Sequence, residues 1–195
     1  MRIKDINIVN FKGFQNETVV FNGNLTVVIG NNTAGKTTLL KAIQVGLGAY
    51  LQSLKQLPGG APYRRNFSPL DKFMRFDEEL RDYIPNEEKP RITINADFPI
   101  TQALCDNCPK VSFIPVHWYR EFAGNYTTHT RACAGELIDA VNQMESLRYD
   151  EKQESVYPLV LAFGAKRTSD SQAKSTSNVK ERASRIEKAY KFALH

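Results

Sequence analysis

The chain has 195 residues, of which 42% are hydrophobic and 24% charged, and this is the composition of an ordinary globular protein. No run approaches the roughly 18 apolar residues that a membrane helix needs, and the N-terminus alternates polar and apolar residues instead of forming a signal-peptide block. We therefore expect a cytoplasmic protein without membrane contact, whose three cysteines are reduced and form no disulfide framework.

The net charge of +5 is concentrated at the C-terminal end. Residues 165–195 contain eight lysines and arginines against three acidic residues, and this accounts for the whole excess. Because the rest of the chain is balanced, its charge does not indicate a nucleic-acid-binding surface. A solvated basic helix at the C-terminus is the favoured interpretation.

The first 29 residues predict strands. Alternating apolar residues over 3–11 and a second apolar run at 18–21 predict two of them. The sequence Asn-Gly-Asn at 22–24 is a hairpin signal. Residues 25–29, LTVVI, then predict a buried strand.

Residues 30–38, GNNTAGKTT, match the pattern G-x-x-x-x-G-K-[ST] of a phosphate-binding loop, the Walker A motif. Glycines let backbone N–H groups approach nucleotide phosphates, the lysine reaches the β and γ oxygens, and the threonine hydroxyl ligates Mg²⁺. The loop precedes a helix predicted over about 36–54, whose N-terminus favours anions. We therefore predict binding of ATP or ADP with Mg²⁺, with Thr37 as the protein ligand of the metal. The residues expected to contact the nucleotide are Gly30, Asn31, Asn32, Thr33, Ala34, Gly35, Lys36, Thr37 and Thr38.

A capping box marks the next predicted helix. Ser68 is the expected N-cap, with Pro69 at the first helical position and Asp71 three residues after the cap. Apolar residues spaced through 70–84 supply one face, so a helix is predicted there.

Two strands and another helix follow. Residues 91–98 and 111–118 alternate polar and apolar side chains and predict half-buried strands. Residues 134–149 have helical periodicity.

The C-terminal part predicts three further segments. Residues 157–163 are apolar and predict a buried strand, whereas 168–178 are rich in Ser and Thr and predict a mobile loop. Residues 180–194 predict an amphipathic helix with an exposed apolar stripe. We expect this stripe to mediate self-association, or the helix to be poorly ordered, because large exposed apolar patches rarely stay free.

An enzyme with a phosphate-binding loop also needs an acid at the end of a second apolar strand, to hold Mg²⁺ and position the nucleophile. Nowhere in the chain do four apolar residues precede an aspartate, and the nearest candidates are Asp97 and Asp139. Both are interpreted as ordinary surface carboxylates. The sequence therefore supports nucleotide binding without hydrolysis. A self-sufficient small phosphotransferase that uses Asp97 or Asp139 as its acid is the alternative.

One group of residues is compatible with zinc. Cys105 and Cys108 form a C-x-x-C pair, and His129 and Cys133 follow with helical spacing. A Cys₃His site is chemically possible, but one short cysteine pair is weak evidence, and small thiols without a metal are favoured.

Two segments together resemble a known family. NFKGF at 10–14, followed by a strand and by the Asn-Asn loop at 30–38, resembles the start of RecF/SMC-like ABC-type ATPase heads. It looks closest to the branch of the overcoming-lysogenization-defect (OLD) ATPases and related bacterial defence AAA ATPases. The segment 157–167 resembles the strand that closes the first lobe there. The fold implied is the α/β N-terminal lobe of a P-loop NTPase head, with a mixed or antiparallel sheet and flanking helices.

The resemblance implies a layout for the chain. Residues 1–195 would be one lobe: 1–60 with strands, loop and first helix, 61–167 as a helix and strand subdomain, and 168–195 reaching toward a second lobe. Lys12, Gly13 and Phe14 would lie beside the ribose, base or α-phosphate.

The resemblance also implies function. Relatives carry an LSGG-like signature, an Asp-Glu strand and a switch histidine in a second lobe, and these are not found in the 195 residues. The glutamine that usually contacts Mg²⁺ near the lobe junction is missing from 164–167. The chain would thus be a partial head that binds ATP, whereas hydrolysis would need the second lobe and a homodimer. DNA metabolism or phage defence would be its setting.

Overall fold

The computed structural model describes residues 1–55, 57, 64–105, 108–149 and 155–162. The strands and helices are β1 (Arg2–Phe11), β2 (Phe14–Val20), α1 (Lys36–Ser53), β3 (Met74–Asp77), β4 (Asp82–Pro85), β5 (Arg91–Cys105), β6 (Cys108–Glu121) and α2 (Arg131–Tyr149). None of the helices in these ranges has the length and apolar character needed to span a bilayer.

Four strands form one antiparallel sheet in the order β2-β1-β5-β6, and β3 pairs with β4 in a separate hairpin. The predicted strands at 91–98 and 111–118 are confirmed, but both are longer, and together they make one long hairpin from Arg91 to Glu121. The predicted α/β class with an antiparallel sheet and flanking helices is confirmed.

One face of the sheet is apolar and buried, and the other is polar. Inward positions alternate along each strand, as period-two burial requires. The buried side chains of this face include Ile6, Ile8, Ile92, Ile94, Phe98, Val116 and Trp118. On the outer face Asn7 donates to Thr18 Oγ1 at 2.9 Å, and Asn95 donates to Asp5 at 2.7 Å. The core therefore lies between the inner face and the two helices.

Helix α1 matches the predicted span and packs closely on the sheet. Trp118 Nε1 on β6 donates to Gly46 O at 2.9 Å. A Cβ at Gly46 would lie 2.4 Å from Ile94 Cδ1, so the glycine lets the helix approach the strand. Helix α1, which begins at the loop motif, thus packs on β1, β5 and β6.

The strand predicted at 25–29 is wrong. The turn at Gly23 and Asn24 is present, but the segment after it forms no strand. Its apolar side chains face solvent, with Leu25 80% and Ile29 90% exposed. Among the described residues no strand pairs with it, and a strand needs a partner for its backbone groups.

The helix predicted over 70–84 is also wrong. The capping box at Ser68 and Asp71 is present, yet it caps only the 3-10 turn Pro69–Asp71. The chain then turns back as the β3–β4 hairpin. At the tip of this hairpin, Asp77 Oδ1 accepts hydrogen bonds from the backbone N–H groups of Glu79 and Leu80, at 3.1 and 3.0 Å. Arg81 has φ +50° there. Such an aspartate turn offers the backbone an alternative to a helix.

The strand predicted at 157–163 is not formed in its described part. Residues 155–162 have no regular structure, although Val160 is buried and Leu159 is exposed. The predicted mobile loop at 168–178 and amphipathic helix at 180–194 lie outside the described residues. The three-part layout of 1–195 likewise stays a prediction.

Candidate nucleotide-binding site

The motif loop ends at a helix terminus that suits an anion. Gly35 is the N-cap residue of α1 with φ +84°, and its carbonyl accepts the first helical bond from Leu39 at 2.8 Å. No side chain caps this end and no acidic residue lies in the first turn. The positive end of the helix dipole and its N–H groups are therefore available to a phosphate.

Lys36 is held across the loop. Its ammonium donates to Gly30 O and to Asn31 O, both at 2.6 Å. Within the loop Ala34 N donates to Asn31 O at 3.2 Å, and Thr33 Oγ1 donates to Asn32 O. The loop is solvent-exposed, so a nucleotide could approach it and draw the ammonium from the carbonyls.

Phe14 fixes the position of the loop against the sheet. A Cβ at Gly35 would lie 2.8 Å from Phe14 Cζ. Position 35 thus favours glycine for two reasons, the positive φ and the short distance to the Phe14 ring. Of the three residues expected beside the nucleotide at the β1–β2 turn, the structure places Phe14 against the loop.

Lys12 has a partner that the sequence did not reveal. The ammonium of Lys12 pairs with Asp71 Oδ1 at 2.7 Å. The backbone N–H of Lys12 also donates to the backbone oxygen of Asp71, at 2.7 Å. Asp71 is 1% exposed and the Lys12 side chain 25% exposed, so a partly buried ion pair joins the β1–β2 turn to the 3-10 turn. The capping box identified Asp71 as a structural residue, but only the tertiary fold shows that it holds Lys12. Gly13 is exposed and has open space around it.

At the loop, the described residues offer one side-chain ligand for Mg²⁺, the hydroxyl of Thr37. Mg²⁺ takes six oxygen ligands and usually keeps waters and substrate phosphates among them. Thr37 lies in the first turn of α1 with its side chain exposed, so its hydroxyl can supply one ligand beside bound phosphates. This donor set fits Mg²⁺ carried by a nucleotide and does not fit a permanently bound metal.

The two candidate acids have surface partners. Asp97 pairs with Lys4 at 2.7 Å, and Asp139 pairs with Arg131 at 2.6 Å. Asp97 lies opposite Arg2 in the β1–β5 ladder, and Asp139 lies on α2. In the described structure no hydrogen bond or ion pair joins either carboxylate to residues 30–38.

The backbone separates the residues of the possible zinc site. Cys105 and Cys108 are partners in the backbone register where β5 and β6 meet. His129 and Cys133 follow the opposite end of the hairpin, which is about 40 Å away at 3.3 Å per strand residue. In the described part of the chain no three metal-binding side chains are grouped. The four residues therefore do not form one zinc site within a chain.

The antiparallel sheet, the glycine-capped loop and its lysine define a P-loop NTPase. The model of the AAA ATPase domain family matches residues 1–192, and the chain belongs to that family. The family is one of ATPase domains, which generally use ATP with Mg²⁺.

Two curated proteins are similar over a short segment. The chain is 45% identical to the Retron Ec83 probable ATPase of Escherichia coli over 49 residues, which are 24% of this chain and 9% of that protein. It is 43% identical to the DNA double-strand break repair Rad50 ATPase of Sulfolobus acidocaldarius over 47 residues, which are 24% of this chain and 5% of that protein. The similarity thus spans less than a tenth of the length of either relative.

A solved structure from work on ATP-driven dimerization and DNA-stimulated activation of SMC ATPases is also similar. The superposition has a TM-score of 0.44 at 18% identity, and it covers 73% of this chain and 79% of that chain.

Proposed function

We propose that this domain binds ATP with Mg²⁺ at residues 30–38 and forms the nucleotide-holding half of a composite ATPase site. The observation that carries the proposal is the exposed loop before α1, where an acid-free helix terminus and the Lys36 ammonium converge. Both features stabilise negative charge, and the loop leaves space for phosphate oxygens.

Each loop residue has a role in this proposal. The loop N–H groups bind the phosphate oxygens, and the Lys36 ammonium exchanges its two carbonyl partners for the β- and γ-phosphates. The Thr37 hydroxyl ligates Mg²⁺. Phe14, held against Gly35, borders the nucleotide together with Gly13, whereas Lys12 contributes by keeping the turn in place through Asp71. The bond that hydrolysis would break is the phosphoanhydride between the β- and γ-phosphates of ATP.

Hydrolysis requires an acid from outside the described residues. Asp97 and Asp139 each have a cationic partner away from the loop. The exposed apolar segment 25–29 runs directly into the loop and has β-branched residues suited to a strand. A second lobe that pairs with this segment would bury it and bring the missing acid beside Mg²⁺.

The partner and the process are part of the same proposal. One relative is by name a retron ATPase and the other a DNA double-strand break repair ATPase. We infer that the complete ATPase dimerises through its nucleotide-bound heads and acts in DNA metabolism or phage defence.

Isothermal titration calorimetry with MgATP and MgADP tests the binding step. We expect weak binding, with a dissociation constant of about 10 μM to 1 mM, because the loop in this structure is open on its solvent side. A chain that gives no heat with millimolar nucleotide would contradict the proposal.

Measuring the rate of phosphate release distinguishes the composite-site hypothesis from that of a self-sufficient enzyme. We expect the chain by itself to release phosphate far more slowly than about 0.1 per second, well below the usual kinase range. A faster rate would favour the self-sufficient phosphotransferase, and Asp97→Asn and Asp139→Asn would then identify its acid.

A further inference from the structure

Asn10, next to the last residue of β1, is buried and has a left-handed backbone. It is 1% exposed, and its φ is +51°. Asparagine is one of the few residues besides glycine that adopt this conformation readily. Because an amide buried in this way is costly unless its donor and acceptor atoms have partners, the contacts of Asn10 identify what it holds together.

The partners of Asn10 lie at the base of the β3–β4 hairpin. Its Nδ2 donates to Glu88 Oε2 at 2.8 Å, and its Oδ1 accepts from Asn86 Nδ2 at 2.7 Å. The backbone oxygen of Asn10 accepts from Phe73 N at 3.0 Å. Asn86 N donates to Phe73 O at 2.9 Å and closes the hairpin. Asn10 is thus bonded to the segment that enters this hairpin and to the segment that leaves it.

The β1–β2 turn also has a left-handed residue, Lys12, with φ +53°. Lys12 and Gly13 are the two residues of this turn, and a positive φ in such a turn is usually adopted by glycine, asparagine or aspartate. The ion pair and the backbone bond to Asp71 hold the lysine in this conformation. Backbone strain of this kind persists only where surrounding contacts fix it. The conformation of residues 10–13 is therefore set by contacts from outside β1 and β2.

The turn leads directly to the residue that contacts the phosphate-binding loop. Phe14 follows Gly13 and pairs with Phe11 across the turn. The Phe14 ring is so near Gly35 that a Cβ there would lie 2.8 Å from Cζ and 3.1 Å from Cε1. The contacts are therefore continuous from the hairpin base, through Asn10 and the turn, to the loop.

We propose that Asn10 is a positioning residue for the nucleotide site. Held between Asn86 and Glu88, it fixes the β1–β2 turn and thereby keeps the Phe14 ring against Gly35. The loop is then ordered before the nucleotide arrives, so less conformational freedom is lost on binding. The inference rests on the proposed binding of ATP at residues 30–38, and it adds the base of the β3–β4 hairpin as the element that supports this site.

The test exchanges the hydrogen-bonding groups of Asn10 and Glu88. Asn10→Asp keeps the size of the side chain and its tolerance of a positive φ, but it removes the donor and places two carboxylates together. Glu88→Gln still offers an oxygen to the Asn10 amide, so this change should be silent by itself. In the double variant the amide introduced at 88 donates to the carboxylate introduced at 10, and the bond is restored with its polarity reversed.

Two measurements report on the loop. The first is the backbone amide resonance of Gly35 in a nitrogen–proton correlation spectrum without nucleotide, because the nearby phenyl ring shifts this resonance. We expect Asn10→Asp to move it and the double variant to return it. The second is the dissociation constant of MgATP from calorimetry. We expect Asn10→Asp to raise it about fivefold or more, and the double variant to return it to within about twofold of the wild-type value.

Glu88→Ala and Glu87→Ala are a matched pair at neighbouring exposed positions. The first removes the acceptor of the Asn10 amide and should move the Gly35 resonance, whereas the second should not. This pair tests the inference even if Asn10→Asp does not fold. Urea denaturation identifies a merely structural role, because a residue that only anchored the hairpin would affect stability and leave the Gly35 resonance and the MgATP affinity unchanged.

The outcomes distinguish this inference from the proposed function. A wild-type chain that does not bind MgATP would contradict the proposed function, and the Gly35 resonance would still test the positioning by Asn10. The inference is wrong if Glu88→Ala and a folded Asn10→Asp leave that resonance unmoved. It is also wrong if a folded Asn10→Asp binds MgATP as the wild type does, or if the double variant recovers neither signal.

Discussion

Lys36 is the residue on which nucleotide binding depends most directly. Its side chain is half-buried, and its ammonium contacts only loop carbonyls in the described structure. These bonds are made at an exposed loop, so they stabilise the fold little. The same ammonium facing phosphate would form charge-assisted bonds, which are the stronger kind.

Lys36→Ala should therefore abolish MgATP binding with little change in melting temperature. The substitution removes a phosphate contact and leaves no cavity in the core. Calorimetry and thermal denaturation measure the two effects. Lys41→Ala, five residues further along α1 and also half-buried, is the matched control and should bind as the wild type does. Unfolding of the Lys36 variant would instead assign this lysine a structural role.

At the level of elements, α1 depends on glycines to approach the sheet. A Cβ at Gly48 would lie 2.3 Å from Arg120 Nη1 and 2.9 Å from Arg65 O. The second contact is with backbone, which cannot rotate away. Gly135 on α2 has no atom within 4 Å of an added Cβ. Gly48 on α1 is thus sterically required, as Gly46 is, whereas Gly135 on α2 is not.

Gly48→Ala should lower the free energy of unfolding by about 1–3 kcal/mol, the usual cost of overpacking a core. Gly135→Ala should leave it unchanged or raise it by up to about 1 kcal/mol, because alanine is the better helix former. Urea denaturation of both variants gives the comparison. Equal effects at the two positions would mean that α1 can move off the strands without cost.

At the level of the whole molecule, the partly buried ring of His129 makes stability depend on pH. His129 faces Arg120 on β6, Arg64 in the segment before Phe67, and Ser53 at the end of α1. Its pKa falls from 6.5 to about 4, so the folded chain binds this proton less readily than the unfolded chain. Between those two values the unfolded state holds more protons, and stability is lost as pH falls.

In phosphate-free buffer, the wild type should therefore lose stability relative to His129→Gln as the pH is lowered from 7 to 5. The variant lacks the titrating ring, whereas all other ionisable groups are common to both proteins. Urea denaturation at the two pH values measures the difference. A difference that stays constant with pH would show that His129 is not desolvated in the folded protein.

Local patterns in the sequence determined a definite part of this protein. The loop motif, helix α1, strand β1 and the alternating segments of β5 and β6 follow from residue spacing, because helix periodicity and turn chemistry are contained within a few neighbouring residues. The capping box at Ser68 and Asp71 was correct for the same reason. Membership of the ATPase family was also recognisable from the residues around the loop.

The tertiary structure decided what depends on a distant partner. Residues 25–29 have strand composition, but a strand forms only when it pairs with another, and none of the described strands pairs with this segment. The apolar residues of 70–84 fit a helix until the Asp77 turn reverses the chain. The pairing of Lys12 with Asp71 and the hydrogen bond from Arg120 to Arg65 O join segments 59 and 55 residues apart in sequence. No local pattern encodes such contacts, since they exist only after the sheet and helices have packed.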